Sequence, residues 1–367
     1  LRVFNFYWSI LSVVNDLKVL GGKTMKKTLL LLSLVSGLAM AATTGSFEVI
    51  SNAGNKVYKG YDITKTDFDI EAKGEVKVTG TGFSFGGNIK YNIKDAKLAD
   101  GDDVAKVWAK YEFPRFHGVG TSLKAVVDYE LKTEIEGNIN GSVAMTDLYA
   151  TVKYKGKKLV EEPAVESELG ATYKGIKDVE LGAKAFGEYK KARNAWAAGS
   201  ELNAKYTGVK DVELAAMVKG KYAHDGAITI ESKPSVSYTG LKNTTISASV
   251  ENKVELKHEA AGTVKFTDYT AKPEISASYK YAVTEDLTLM PKIKVGTELK
   301  YTNLKDAATA KAKVYATPEL GLTYKPISGL TLSAKAELPI EVEAKKDTKA
   351  DDVTIKAKGK VAVKYEW

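Results

Sequence analysis

The sequence contains no cysteine, which removes disulfide frameworks, thiolate metal sites and cysteine nucleophiles together. Only three histidines are present, His117, His224 and His258, far apart along the chain. No H-x-x-x-H pair and no acidic calcium-type loop accompanies them, so neither a metal site nor a cofactor is expected. Proline is scarce, 8 in 367 residues, and tryptophan scarcer, 4. Long apolar runs end before residue 42, and beyond it apolar side chains occupy about one position in two. At 44% hydrophobic content the chain could supply the core of one or two soluble domains, but that spacing argues against such a core. One-sided charge is lacking as well. The formal +8 includes five basic residues (Arg2, Lys18, Lys23, Lys26, Lys27) and one acid (Asp16) in residues 1–41, leaving 49 basic against 45 acidic residues, or +4. These are interleaved rather than clustered, which speaks against a nucleic-acid partner.

The N-terminal region reads as two pieces. Met25-Lys26-Lys27, the apolar run Leu29 to Leu38 and Ala39-Met40-Ala41 form the charged, apolar and small-residue regions of a signal peptide spanning 25–41. Its apolar run is too short for a spanning helix, which needs about 20 residues. Cleavage is expected after Ala41. Residues 1–24 carry no export logic and read as a mis-called upstream extension, with Gly21 to Thr24 as a translated ribosome-binding site. Gly22-Lys23-Thr24 imitates the end of a phosphate-binding loop, but Leu17 stands where that loop needs glycine.

What fills residues 42–367 is a two-residue period. Leu330, Leu332, Ala334, Ala336, Leu338, Ile340, Val342 and Ala344 share one face, with Thr331, Ser333, Lys335, Glu337, Glu341 and Glu343 on the other. The last segment divides likewise, Val353, Ile355, Ala357, Gly359, Val361, Val363, Tyr365 and Trp367 against Thr354, Lys356, Lys358, Lys360, Lys364 and Glu366. Strand side chains alternate between faces, so one face is apolar and the other polar. The alternation runs for twelve to fifteen residues, longer than the five or six usual in a sandwich strand. It suits a tilted strand crossing the roughly 25 Å apolar band of an outer membrane.

The segments join as hairpins. Glu168 to Leu181 recurs as Glu201 to Leu214, with looser copies from Pro234 to Ser247 and from Pro318 to Leu332. Tyr173, Tyr206, Tyr238, Tyr279, Tyr324 and Tyr365 sit on the apolar face just before a short turn or the C-terminus. Rings with one polar end collect at the membrane–water boundary, so these six are expected to form a periplasmic girdle. The turns Gly175 to Asp178, Gly208 to Asp211 and Pro326 to Gly329 would then be periplasmic. Ala96 to Asp103, Lys191 to Asn194 and Lys345 to Asp352 would be external.

The expected fold is therefore all-β, a transmembrane antiparallel up-and-down β-barrel. Strands fall near 46–58, 66–79, 82–94, 103–113, 122–135, 142–155, 164–174, 178–190 and 196–207. Others fall near 211–223, 227–239, 243–257, 263–281, 286–302, 311–325, 330–344 and 353–367. Up-down parity calls for one more between Tyr154 and Val165, giving 16 to 18 strands with 14 left open. Val264 and Phe266 alternate on even positions but Ile275, Ala277 and Tyr279 on odd, which places a bulge near Tyr269 to Pro273.

Catalysis finds little footing. Gly82-Phe83-Ser84-Phe85-Gly86 matches the nucleophile elbow of serine hydrolases, but that motif needs a strand-to-helix turn and this match lies within a strand. The chain is accordingly read as a non-enzyme. The polar face carries the candidate pore-lining residues Lys184, Lys219, Lys221, Lys253, Lys292 and Lys294. Lys335, Lys356, Lys358, Lys360, Glu251, Glu298 and Glu337 complete them. Charge facing a water-filled bore sets ionic preference, and the lysine excess predicts weak anion preference. No long loop between the early strands is available to narrow the bore, which leaves it open or narrowed by a segment such as Ala42 to Lys56.

The C-terminus, with Val361, Val363 and Tyr365 at alternate positions and the aromatic Trp367 last, resembles the signature of barrels inserted by the outer-membrane assembly machinery. The Lys/Ala/Val/Tyr-rich hairpins, with Tyr-Lys-Gly-Ile-Lys-Asp-Val-Glu-Leu at 173–181, resemble the fusobacterial major outer-membrane porins of the FomA type. That resemblance implies trimeric, weakly selective diffusion channels in contact with outer-membrane lipid, some also acting in adhesion. The expected function is passive diffusion of small hydrophilic solutes and ions. The alternative is a structural or adhesin barrel whose external loops bind partners.

Overall fold

A computed structural model describes residues 43–57, 67–92, 97–98, 105–128, 130–157, 161–259, 263–302, 311–344 and 353–367. The expected leader and upstream extension lie outside the described residues, as do most of Ala96 to Asp103 and all of Lys345 to Asp352.

The strand segments are β1 Thr43–Val57, β2 Asp67–Val78, β3 Phe83–Asn92, β4 Lys97–Leu98, β5 Ala105–Glu112 and β6 Gly120–Asp128. Next come β7 Lys132–Val143, β8 Thr146–Lys157, β9 Glu161–Ile176, β10 Val179–Lys190, β11 Ala195–Val209 and β12 Val212–Ala223. Then follow β13 Ala227–Ser232, β14 Ser235–Tyr238, β15 Thr244–His258, β16 Val264–Tyr279 and β17 Tyr281–Ala282. The series ends with β18 Leu287–Thr302, β19 Lys311–Ile327, β20 Leu330–Glu337, β21 Ile340–Ala344 and β22 Val353–Glu366.

Several segments are halves of one strand. β13 and β14 hold one register against β12 and β15 across the break at Pro234, and β20 and β21 do so against β19 and β22 across Pro339. Proline has no N–H to give the ladder, so the ladder is interrupted there while the wall continues. β16 and β17 likewise share a register against β18, and β4 and β5 both pair with β3. Eighteen barrel strands result, each antiparallel to its neighbours, and β1 pairs with β22 from Ser46 opposite Glu366 to Val57 opposite Ile355. The sheet is thereby closed on itself.

The count lies within the expected range, but the strand demanded by parity comes from elsewhere. The stretch 122–135 is two strands, β6 and β7, joined by a tight turn. Asp128 makes that turn, its Oδ1 accepting from the backbone N–H groups of Glu130 at 2.9 Å and Lys132 at 2.8 Å. No additional strand separates Tyr154 from Val165; β8 and β9 pair directly, Tyr154 opposite Val165. The segment Ala42 to Lys56 is not a constriction either, because its described part is wall strand β1 between β2 and β22. The bulge exists but sits earlier than expected, at Thr267, where Glu255 faces Asp268 and Leu256 faces Phe266.

Both described chain ends and the turns Gly175–Asp178, Gly208–Asp211 and Pro326–Gly329 lie at one end of the barrel, and Lys191–Asn194 lies at the other. The three named turns share one construction: a two-residue connection (Ile176 to Val179, Val209 to Val212, Ile327 to Leu330) with a register shift beside it. The second turn residue has positive φ, 60° at Asp178 and Asp211 and 81° at Gly329. Aspartate and glycine tolerate that region better than branched residues do.

No conventional apolar core is present among the described residues. Among the described residues the buried apolar side chains are only Ile50, Ala72, Val76, Ile89, Ala271 and Ala362, whereas Leu169, Leu202 and Ile275 are 60–62% exposed. Such a surface in water would be an aggregation hazard. On a barrel whose strands pair right around the wall it is the lipid-facing side.

Candidate functional site: the interior wall

Interior and exterior follow from the register. Val236, Ala248, Ile275, Val295 and Ala316 form one continuous exterior row, while Ser237, Ser247, Ser276, Lys294 and Thr317 fall on the opposite face. A recess of about 430 Å³ gathers side chains of that second face from β7 to β12, which only the concave side of a closed sheet can do. Lys184, Lys219, Lys221, Lys253, Lys292, Lys294 and Lys335 lie on this interior face. Lys356, Lys358, Lys360, Glu251, Glu298 and Glu337 lie there too.

The structure joins many of these residues into ion pairs across strands. Lys184 stands between Glu168 at 3.7 Å and Glu201 at 3.2 Å. Glu319, only 8% exposed, lies between Lys294 at 2.7 Å and Lys335 at 3.1 Å, and Lys335 also meets Glu337. Glu341 bridges Lys313 at 2.9 Å and Lys356 at 3.4 Å. Lys219 is 3.8 Å from Glu231, Glu251 is 3.7 Å from Lys233, Glu298 is 3.6 Å from Lys272, and Lys253 pairs with Glu255. Lys221, Lys292, Lys358 and Lys360 have no acidic partner among the described residues. Partly exposed pairs contribute only about 0–1 kcal/mol each. Their larger effect is on the field inside the wall, which on β18, β19 and β22 is set by lysine in excess of acid.

The sequence pattern left out four interior aromatic residues. Trp108, Tyr149, Phe186 and Tyr315 each lie against a glycine of the next strand: Gly86, Gly170, Gly199 and Gly296, respectively. A Cβ at those glycines would fall 2.3–2.7 Å from the ring, so each glycine is a seat. Tyr149 donates its hydroxyl to Glu168 Oε1 at 2.8 Å and Tyr315 to Glu274 Oε2 at 3.1 Å. Lys124 Nζ stands 5.2 Å from the Trp108 ring centre, and Lys219 Nζ stands 5.5 Å from that of Phe186. The signal was present, since Phe186 has Lys184 and Glu188 as its same-face neighbours.

On the exterior, Tyr173, Tyr206, Tyr238, Tyr279 and Tyr324 are 38–42% exposed near the end that holds the chain termini. Tyr365 joins them, its ring stacked on Trp367 at 6.2 Å. Tyr173, Tyr206 and Tyr238 fold over the glycine two residues on, Gly175, Gly208 and Gly240. At the opposite end Tyr189, Trp196, Tyr222 and Tyr301 also face outward. Val361 and Val363 are exterior residues of the closing strand, and Trp367 exchanges two 3.1 Å backbone hydrogen bonds with Gly45.

Among the described residues, the serine-elbow match and the histidines are not brought together. Phe83 and Phe85 face outward and Ser84 inward, opposite Lys77 and Lys110, in a strand rather than an elbow. His117 sits at the terminus-bearing end, whereas His224 and His258 sit at the other. Among the described residues, no group of three or more His, Cys, Asp or Glu could hold a metal ion.

No family model and no curated protein matches the chain. Solved structures do resemble it in fold. Pseudomonas aeruginosa OccK2 (OpdF) in complex with glucuronate superposes over 88% of this chain and 98% of its own, with TM-score 0.58 and 11% identity. P. aeruginosa OccK3 (OpdO) covers 92% and 99%, with TM-score 0.57 and 12% identity. Acinetobacter baumannii OccAB2 covers 89% and 98%, with TM-score 0.56 and 9% identity.

Proposed function

We propose that this chain is an outer-membrane porin that passes small hydrophilic solutes and ions by diffusion. The observation that carries the reading is a closed eighteen-strand wall with an apolar outside and a charged inside. Barrels of 16–18 strands enclose an aqueous channel rather than a packed interior. The similar OccK2 structure holds glucuronate, a small hydrophilic solute, in keeping with that use. The described turns at the end opposite the termini are short, so they lend the adhesin alternative no support.

The thirteen interior lysines and glutamates foreseen from the sequence line the pore in this reading, and the unneutralised lysines give weak anion preference. The six tyrosines mark the periplasmic interface, and residues 25–41 direct export. Val361, Val363, Tyr365 and Trp367 address the chain to the barrel assembly machinery. The likeness of the hairpins to FomA-type porins supports a homotrimer of the same kind. Purified mature protein in a planar bilayer tests the function. Stepwise conductance growing with salt concentration, and a reversal potential of anion-preferring sign in a salt gradient, are expected. Absence of steps from folded protein overturns the porin reading; cation preference overturns the charge assignment alone.

A further inference from the structure

The recess beside Phe186 has more chemistry than a diffusion wall requires. Its volume, about 430 Å³, falls within the roughly 300–1,000 Å³ of small-molecule sites. Phe186 rests on Gly199 and presents an apolar ring among mostly charged and polar side chains. Charge is unevenly spread around it. Glu166 and Glu168 of β9 and Glu188 of β10 lie on one side, where Lys155, Lys184 and Lys190 pair with them in turn, and Lys219 and Lys221 of β12 lie on the other. Directly across the strands the order runs Glu168, Phe186, Gly199, Lys221. Lys221 is the lysine of this lining without an acidic partner among the described residues.

We infer that this recess is a binding subsite for a zwitterion with an apolar or aromatic side chain, an α-amino acid or a short peptide. The carboxylate is taken by Lys221 and Lys219, the ammonium by Glu168 and Glu188, and the side chain by the Phe186 ring. A wholly anionic solute would set its charge against the carboxylates of the acidic side, and a cation would leave Lys221 without a partner. Contact with the Phe186 ring distinguishes a solute with an apolar side chain from one without. The assignment rests on the porin reading for its biological use but not for its chemistry.

Calorimetry on the folded, detergent-solubilised full barrel tests it with four probes: L-phenylalanine, 3-phenylpropanoate, 2-phenylethylamine and glycine. Phenylalanine is expected to bind at least about tenfold more tightly than each of the others, a difference of 1.4 kcal/mol. Phe186→Leu and Lys221→Gln, each checked for the heat-modifiable gel mobility of a folded barrel, are expected to weaken phenylalanine binding at least fivefold. Equal affinity for the four probes, no binding, or unchanged binding in both folded variants overturns the subsite. Channel recordings run in parallel separate the two claims. Conductance without selective binding removes the subsite and keeps the porin; selective binding without conductance does the reverse.

Discussion

At the scale of single residues, the wall is organised by pairs in which one partner is nothing but backbone. A Cβ on Gly199 would lie 2.5 Å from Phe186 Cζ and 2.2 Å from the Gly220 carbonyl oxygen. Only the ring could yield. Gly199→Val is therefore expected to lower unfolding stability by about 1–3 kcal/mol, read as a lower urea midpoint in detergent. Glu319 presents the opposite case, a nearly buried carboxylate held by Lys294 and Lys335. Glu319→Gln keeps the shape but deletes the charge, weakening two charge-assisted contacts, each worth about 1.5–3 kcal/mol. It is expected to lower the urea midpoint and to move the reversal potential further toward anion preference; a shift toward cations would contradict the interior assignment.

At the scale of elements, hairpins are defined by their turns. Asp128 serves two backbone N–H groups with one oxygen in the β6–β7 turn. Asp128→Ala is expected to accelerate amide exchange at Glu130 and Lys132 about fivefold, since each lost hydrogen bond costs about 1 kcal/mol and tenfold corresponds to 1.4. The same turn explains where sequence reading stopped short. Alternation from Ser122 to Ile135 looks uninterrupted because Leu131 takes a left-handed conformation, φ 63°, without a glycine to announce it. The Lys-Asp and Ser-Gly turns announced themselves by residue type, and the strands beside them were legible to within a few residues. The bulge was legible as a change of parity but not in position, because parity marks only the interval between Phe266 and Ile275. For the wall, alternation assigned lysines and glutamates to the inside. It could not reveal which acid meets which lysine, or that Phe186 lies on Gly199, since both depend on cross-strand register.

At the scale of the whole molecule, everything depends on one seam. Phe47 lies opposite Tyr365, Val49 opposite Val363, and the Trp367 backbone bonds to Gly45 in both directions. Gly45 has no space to spare: a Cβ there would fall 2.6 Å from both the Glu75 carbonyl oxygen and the Trp367 ring. Gly45→Val is expected to leave little heat-modifiable, folded barrel on a gel, whereas the same change at Gly137, where a Cβ meets nothing within 4 Å, is expected to be tolerated. The seam also fixes the order of events during biogenesis. Its two strands are the first and last described in the chain, so no amino-terminal fragment can cover both raw edges, however long it grows. Contacts this remote in sequence make folding slow, and an uncovered edge cannot rest in hydrocarbon. The last strand thus acts as a completeness check on the protein: a chain that stops short of β22 keeps β1 without its partner and remains a substrate for proteolysis rather than a smaller pore.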